Sequence, residues 1–421
     1  MGGTTSTSPA DKRPKVRITG DYPPVGQLVD RDVVVLGAGI SGLLLASELS
    51  RRFSVVVLEK EARVPNRKYW VTNQRSVDTN SELSHLVDSY LEHMDIIAHD
   101  LTSCRVCGPF PMWDSDRLVD HFVGSITTSG GEIVTGARFY SYYYESDRVV
   151  LLAGDRKYRA SLVVDCMGFS SPIVAAKNIF RIAGYYFLLG GRVPLKEPLE
   201  PIAFYNLALD RHPRYIEVFP TRSGDAHATI IMPATSLQDN RGMKQELIFA
   251  LRQSHLSSHF ETSARPNHIY GGIVPVGSLS RRSLNRFFIF GEAGQVNPAA
   301  TATGFTRMLY IYKQTALALA ECLEARRVSA RDLEHAGPKG LTAFNRRLQL
   351  SVFYAMQRWT SDGFRELVRE LGNLPEAVLR DTLFGEVQPS RFLSPANFLS
   401  FSRSRSYVLL WHALRAALPI W

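Results

Sequence analysis

The chain has 421 residues, 45% hydrophobic and 21% charged, which is enough to bury a substantial core in two joined domains or one large one with an inserted subdomain. Its net charge of +9 comes from 49 basic and 40 acidic residues spread along the chain, not clustered. That spread excludes a nucleic-acid module and suits an anionic cofactor or, at most, a peripheral membrane contact.

In chain order, Met1 to about Leu28 is rich in Thr, Ser, Pro and Gly and reads as a disordered arm. Its "MGGTTS" start matches a myristoylation pattern formally and is read as a free tail. "RDVVVLGAGISGLLLASELSRRFSVVVLEKE" then begins at Arg31 with an apolar run of the kind a buried parallel strand needs. Gly37, Gly39 and Gly42 follow at G-x-G-x-x-G spacing, with Ala38 and Ser41 between them, and lead into a helix. Gly37 permits the tight turn, Gly39 the approach of a pyrophosphate, and Gly42 close packing of the helix. The helix N-terminus offers N–H groups and a positive dipole end to phosphate. "SVVVLE" is the next strand, and Glu59 at its end, with Lys60 beside it, can accept hydrogen bonds from adenosine ribose hydroxyls.

"VPNRKYWVTN" follows directly and is unusual for a plain loop. "WDSDRLVDHFVGSITTSGGEIVTGARF" gives a helix carrying Arg117 and then a strand. "KYRASLVVDCMGFSSPIV" has an apolar strand ending in Asp165, with Gly168 three residues on. Between about Ser171 and Ser280, "PIAFYNLAL", "RYIEVFP", "HATIIMPA" and "HIYGGIVPVG" read as strands and "MKQELIFALRQSHL" as a helix. "NRFFIFGEAGQVNPAATATGFTRMLYIYKQTALALAECL" is a strand, then Gly291-Glu292, Pro298, Thr303-Gly304-Phe305 and a long amphipathic helix. Past Glu324 the pattern is helical, ending in "SYVLLWHALRAALPIW", which is too short and polar to span a bilayer. That last stretch is expected to pack on the substrate part in preference to a membrane surface.

Cys104, Cys107, Cys166 and Cys322 are few for this length, and with no signal peptide apparent they point to a reducing, cytoplasmic setting. Cys104 and Cys107 have C-x-x-C spacing, but nothing completes a zinc site, so no metal is expected.

Together the glycine fingerprint, the Arg117 helix, Asp165–Gly168 and the Gly291–Phe305 segment resemble a flavoprotein superfamily. It contains aromatic hydroxylases, lycopene cyclases and geranylgeranyl reductases, and the resemblance covers roughly Asp32 to Glu324. It implies an α/β fold: a Rossmann-like FAD-binding domain (29–175 and 281–325), an interleaved antiparallel-sheet substrate domain (176–280) and a helical C-terminal region (326–421). It also implies FAD as cofactor, contacted by Arg117, by Asp165 and Gly168, and by Gly291 and Glu292, where the family usually has Gly-Asp. In the lycopene cyclase branch a stretch like "VPNRKYW" borders the flavin and substrate tunnel, which places Tyr69 and Trp70 over the flavin and Arg67 or Lys68 near phosphate. Tyr205, Phe219 and Met232 are the candidate lining of an apolar pocket, with core packing as their alternative role.

One nucleotide fingerprint leaves three routes for reducing equivalents: transient NADPH, a partner reductase, or no consumption at all. The leading expectation is a monooxygenase or other oxidoreductase acting on an apolar polyketide- or terpenoid-like molecule. The alternative is a non-redox, FAD-containing cyclase. The halogenase Trp-x-Trp-x-Ile-Pro stretch is absent, and where lycopene cyclases carry paired glutamates this chain reads "TIIMPAT". Glu217 and Asp225 are the nearest acids, and the sequence assigns no catalytic residue.

Overall fold

The computed structural model describes residues 16–17, 26–65, 69–207, 214–237, 242–253, 255–261, 263, 265–338, 340–357, 360–392 and 394. Five parallel strands form its centre, in the order Phe287–Ile289, Arg156–Asp165, Leu28–Leu36, Val55–Leu58 and Glu132–Val134. The run Val33–Leu36 is apolar throughout because both faces of this sheet are covered. Val33 and Val35 pack against the helices Ile40–Leu49, Ser115–Thr128 and Gly304–Glu324, while Val34 and Leu36 pack against the strands Phe139–Tyr144 and Val149–Ala153. Val16–Arg17, expected within a disordered arm, instead pairs with Ser141 and Tyr142 at the sheet edge, where backbone groups would otherwise lack partners.

The second sheet has eight strands, in the order Asn267–Leu279, Phe180–Pro194, Asp225–Ala234, Arg214–Pro220, Ile202–Leu207, Val87–Ile97, Ser103–Trp113 and Trp70–Val71. The last three come from a stretch expected to lie wholly in the nucleotide-binding part. The Ile202–Leu207 strand pairs in parallel with Val87–Ile97, joining segments about a hundred residues apart. One face of this sheet packs on the helix Met243–Gln253. The other packs in part on the C-terminal helices Ala343–Met356, Ser361–Gly372 and Glu376–Leu383. The segment "SYVLLWHALRAALPIW" lies outside the described residues. Among the described residues no helix is long and apolar enough to cross a membrane, and no group of metal-ligating side chains is present.

Candidate active site

A cavity of about 2230 Å³ lies where the carboxyl ends of the parallel strands meet the second sheet. Gly37, Glu59, Met167, Gly168 and Glu292 line it from the strand ends, the crevice where open α/β sheets bind ligands. The three fingerprint glycines are needed for different reasons. Gly37 has φ +99°, and a Cβ there would stand 2.7 Å from the carbonyl oxygen of Cys166. At Gly42 a Cβ would lie 2.0 Å from the carbonyl oxygen of Gly37, so the helix can approach the turn only without one. Gly39 has an ordinary φ of −65°, and a Cβ on it would meet nothing within 4 Å except the cavity it lines. Gly39, Ile40 and Ser41, at a helix start whose first N–H groups have no intrahelical acceptor, all face that space.

Glu59 is 4% exposed. Its carboxylate accepts from the N–H of Ala38 at 2.8 Å and of Glu61 at 3.0 Å, fixing it across the turn. Two carboxylate oxygens retain capacity for further donors, and Glu59 and Lys60 both line the cavity. Asp165 is fully buried, and burial pushes its carboxyl up to about 6, against the hydroxyl of Ser171 and the N–H of Met167 that donate to it. It therefore fastens the turn from behind, while Met167 and Gly168 face the cavity. Glu292 lines the cavity beside Gly168 and accepts from the N–H of Phe169 at 3.1 Å. Gly291 has φ +67°, and a Cβ there would meet the Cβ of Ser41 at 2.4 Å, so it permits close contact with the glycine-turn helix.

Thr303, Gly304 and Phe305 start the last long helix and line the cavity, with Phe305 stacked on Trp70 at 4.7 Å. Pro298 lies behind this turn, its carbonyl accepting from the N–H of Ala302. Arg117 does not reach the cavity. Its guanidinium donates to the carbonyl of His85 at 2.8 Å, although Asp114, Ser115 and Asp116 at the start of its helix do line the space. Arg67 lies outside the described residues, as does Lys68.

Of the candidate substrate residues, Tyr69, Trp70 and Phe219 line the cavity. Tyr205 and Met232 do not. They pack on the opposite face with the Met243–Gln253 helix, because strand alternation turns their neighbours Phe204 and Ile231 to the cavity instead.

The same alternation brings forward a residue to which the sequence assigned no role. Glu217 lies between Tyr215 and Phe219 on the cavity face, paired across the sheet with Thr229. The hydroxyl of Tyr69 is 3.2 Å from its carboxylate and 3.0 Å from the Thr229 hydroxyl, which in turn is 2.8 Å from the hydroxyl of Tyr270. The Tyr69 ring stacks on His227 at 4.4 Å and meets Phe219 edge-on at 5.5 Å. Burial pushes the Glu217 carboxyl up to about 7, and the Tyr69 hydrogen bond pulls the other way. Burial, aided by the Arg192 charge, pushes His227 down to about 4, so it is neutral near pH 7. A proton donor and a neutral imidazole thus line one cavity. The available signal was a lone acid in the middle of the otherwise apolar strand "RYIEVFP".

Comparison with solved structures supports the fold. A geranylgeranyl bacteriochlorophyll reductase-like protein from Thermoplasma acidophilum superposes with a TM-score of 0.71 at 14% identity, over 91% of this chain and 99% of that one. The halogenase PltM, solved in complex with FAD, gives 0.62 at 12% identity over 92% and 86%. The Diels-Alderase PyrE3 of pyrroindomycin biosynthesis gives 0.60 at 17% over 85% and 81%. No curated protein matches the sequence. The family model described as "Lycopene cyclase protein" matches residues 32–391, so the chain belongs to the lycopene cyclase family.

Proposed function

We propose that the chain holds FAD and performs an acid-initiated, redox-neutral cyclisation of a largely apolar molecule. The observation that carries this reading is Glu217, a buried acid beside Tyr69 in the cavity that also contains the nucleotide cradle. The residues present fit FAD. Gly39 leaves clear the space that a Cβ would enter, Glu59 is fixed at the strand end where a ribose acceptor is needed, and the donor-rich helix start faces the same space. In its reduced form FAD supplies negative charge that favours a cation in the substrate. The chain's residues would do the rest.

Near neutral pH Glu217 retains a proton, and the Tyr69 hydroxyl orients its carboxyl. Transfer of that proton to a substrate double bond forms a C–H bond and leaves a carbocation. A second double bond closes on it to form a C–C bond, and loss of a neighbouring proton to the Glu217 carboxylate restores an alkene. One proton enters and one leaves, so the product is an isomer of the substrate. The aromatic side chains of Tyr69, Trp70, Tyr186 and Phe219 line this space, where their π-systems would stabilise positive charge without offering a nucleophile as strong as water.

The test incubates FAD-loaded protein, its FAD reduced beforehand with dithionite, in heavy water with acyclic polyenes that do or do not carry a terminal oxygen function, lycopene among them. The expected product is an isomer in which one hydrogen has been replaced by deuterium, one mass unit heavier than the substrate, and it forms without a nicotinamide. Glu217→Gln should lower turnover by about 10²- to 10⁴-fold while still binding FAD. A product carrying oxygen from O₂, with flavin bleaching by NADPH, would instead establish the oxygenase expected from the motifs.

A further inference from the structure

We infer that Phe384, carried in from the C-terminal helices, is the end wall of the substrate space and sets how long an apolar group can pass the acid, so that the substrate enters apolar end first and keeps its other end at the mouth. The inference rests on the catalytic reading above only for the word substrate; the wall is argued from packing. One part of the cavity is open, where Arg222, Ser223, His268 and Gly271 line it and are exposed. Another is closed, where Met94, Ala203, Leu383 and Phe384 line it, belong to one buried cluster and are each no more than 7% exposed. A polar group desolvated among those four would find no partner side chain, which is costly, so this end takes apolar groups.

Sheet spacing sets the depth. Phe384 packs on Phe110 with ring centroids 6.0 Å apart. Phe110 belongs to the strand Ser103–Trp113, three places across the sheet from the strand of Glu217. At the usual separation of neighbouring strands this is roughly 14 Å, so the acid meets a chain within about that distance of its apolar end. Ala203 lies on the strand next to that of Glu217, and its small side chain leaves room for a chain to pass.

The wall is held in place from several sides. Gly385 has φ +65°, and a Cβ on it would stand 3.1 Å from Cγ of Pro298, so the turn after Phe384 lies close against the turn that precedes the Gly304–Glu324 helix. The Thr303 hydroxyl donates to the carbonyl of Leu383 at 3.4 Å, and the Gln349 side chain donates to that of Thr382 at 3.1 Å. Glu386, its side chain 9% exposed, pairs with Arg307 at 3.4 Å and with Arg75 at 3.5 Å. A ring anchored in this way resists displacement by an entering chain, because forcing extra atoms into a packed core is costly.

The test measures equilibrium dialysis of n-alkyl maltosides of rising tail length, each below its micelle-forming concentration, against the FAD-loaded full chain. The sugar cap is too polar for the closed end and stays at the mouth, so the tail alone probes the depth. Affinity should rise about fourfold for each methylene that enters and level off once the tail meets the wall. In Phe384→Leu and, further, in Phe384→Ala the levelling should move to longer tails, which then gain the same factor per methylene. The leucine variant keeps an apolar side chain against Phe110 and decides the matter if the alanine variant fails to fold. Glu217→Gln should level where the parent does, so failure of the catalytic reading would appear in turnover and not here. Affinity independent of tail length, a rise with no levelling, or a levelling point that stays put in the Phe384 variants would overturn the inference.

Discussion

Glu217 and His227 are pushed in opposite directions by the same cause. Burial disfavours charge, so the acid keeps its proton up to about pH 7 and the imidazole stays neutral down to about pH 4. If Glu217 is the proton donor, turnover should fall as pH rises through about 7, the limb on which the carboxyl ionises. Tyr69→Phe removes a hydrogen bond that favours the ionised form, so that limb should move to higher pH while activity persists; a kcat/KM profile of the two proteins checks this. A limb unmoved by Tyr69→Phe would detach the phenol from the acid. Stability carries the same signature. Between the ordinary 4.5 and about 7 the native Glu217 holds a proton that the unfolded chain has released, so stability declines across that window as pH rises. The decline amounts to about 3 kcal/mol at most, and Glu217→Gln should remove that share from denaturation midpoints compared at pH 5 and pH 8.

At the scale of an element, the strand–turn–helix unit separates folding from binding at neighbouring glycines. Gly42→Ala places a methyl against the Gly37 carbonyl, a contact that backbone cannot escape cheaply, and should destabilise the protein by about 1–3 kcal/mol. Gly39→Ala meets no atom and has a permissive φ, so its stability should change by less than about 0.5 kcal/mol, while FAD affinity drops at least tenfold. Thermal melts and FAD titration of the two variants read the two effects separately. This unit was legible in the sequence because each of its rules is local: an apolar run, three glycines at fixed spacing and an acid one strand on. The strands Val87–Ile97 and Ser103–Trp113 were not. The first scatters acids and a histidine among its apolar residues, and the second carries Pro109 and Pro111, which argue against a strand. The partner of Val87–Ile97 on its other side, Ile202–Leu207, is remote in sequence. Alternation likewise distinguished two faces of the Asp225–Ala234 strand but not which one bounds the cavity, since both are buried. Met232 was therefore expected in the pocket, where Ile231, Thr229 and His227 stand.

Across the whole molecule, one space is bounded by three parts of the chain that are far apart in sequence: the parallel strand ends, the inner face of the second sheet and the start of the Gly304–Glu324 helix. The unfolded chain cannot reproduce this arrangement, so a ligand that spans it binds the native state alone and stabilises all three parts together. At a hundredfold excess over its dissociation constant, such a ligand contributes about 2.7 kcal/mol, a shift of several degrees in the midpoint. FAD reaches beyond the nucleotide cradle with its flavin, whereas NAD and FMN each lack part of that structure. FAD should therefore raise the melting temperature as a single transition, and NAD and FMN should raise it less. The shift should shrink in Gly39→Ala, whose methyl enters the cradle, and in Glu292→Gln, which loses a carboxylate charge on the cavity wall but keeps its size. Glu292 accepts the N–H of Phe169, a bond that the Gln oxygen can also accept, and melting of the variant without ligand is the reference for its shift. Differential scanning calorimetry with each nucleotide decides the matter. An NAD shift larger than that of FAD would reassign the cradle to a nicotinamide, and a shift unaltered in Glu292→Gln would remove that carboxylate from the cofactor's surroundings.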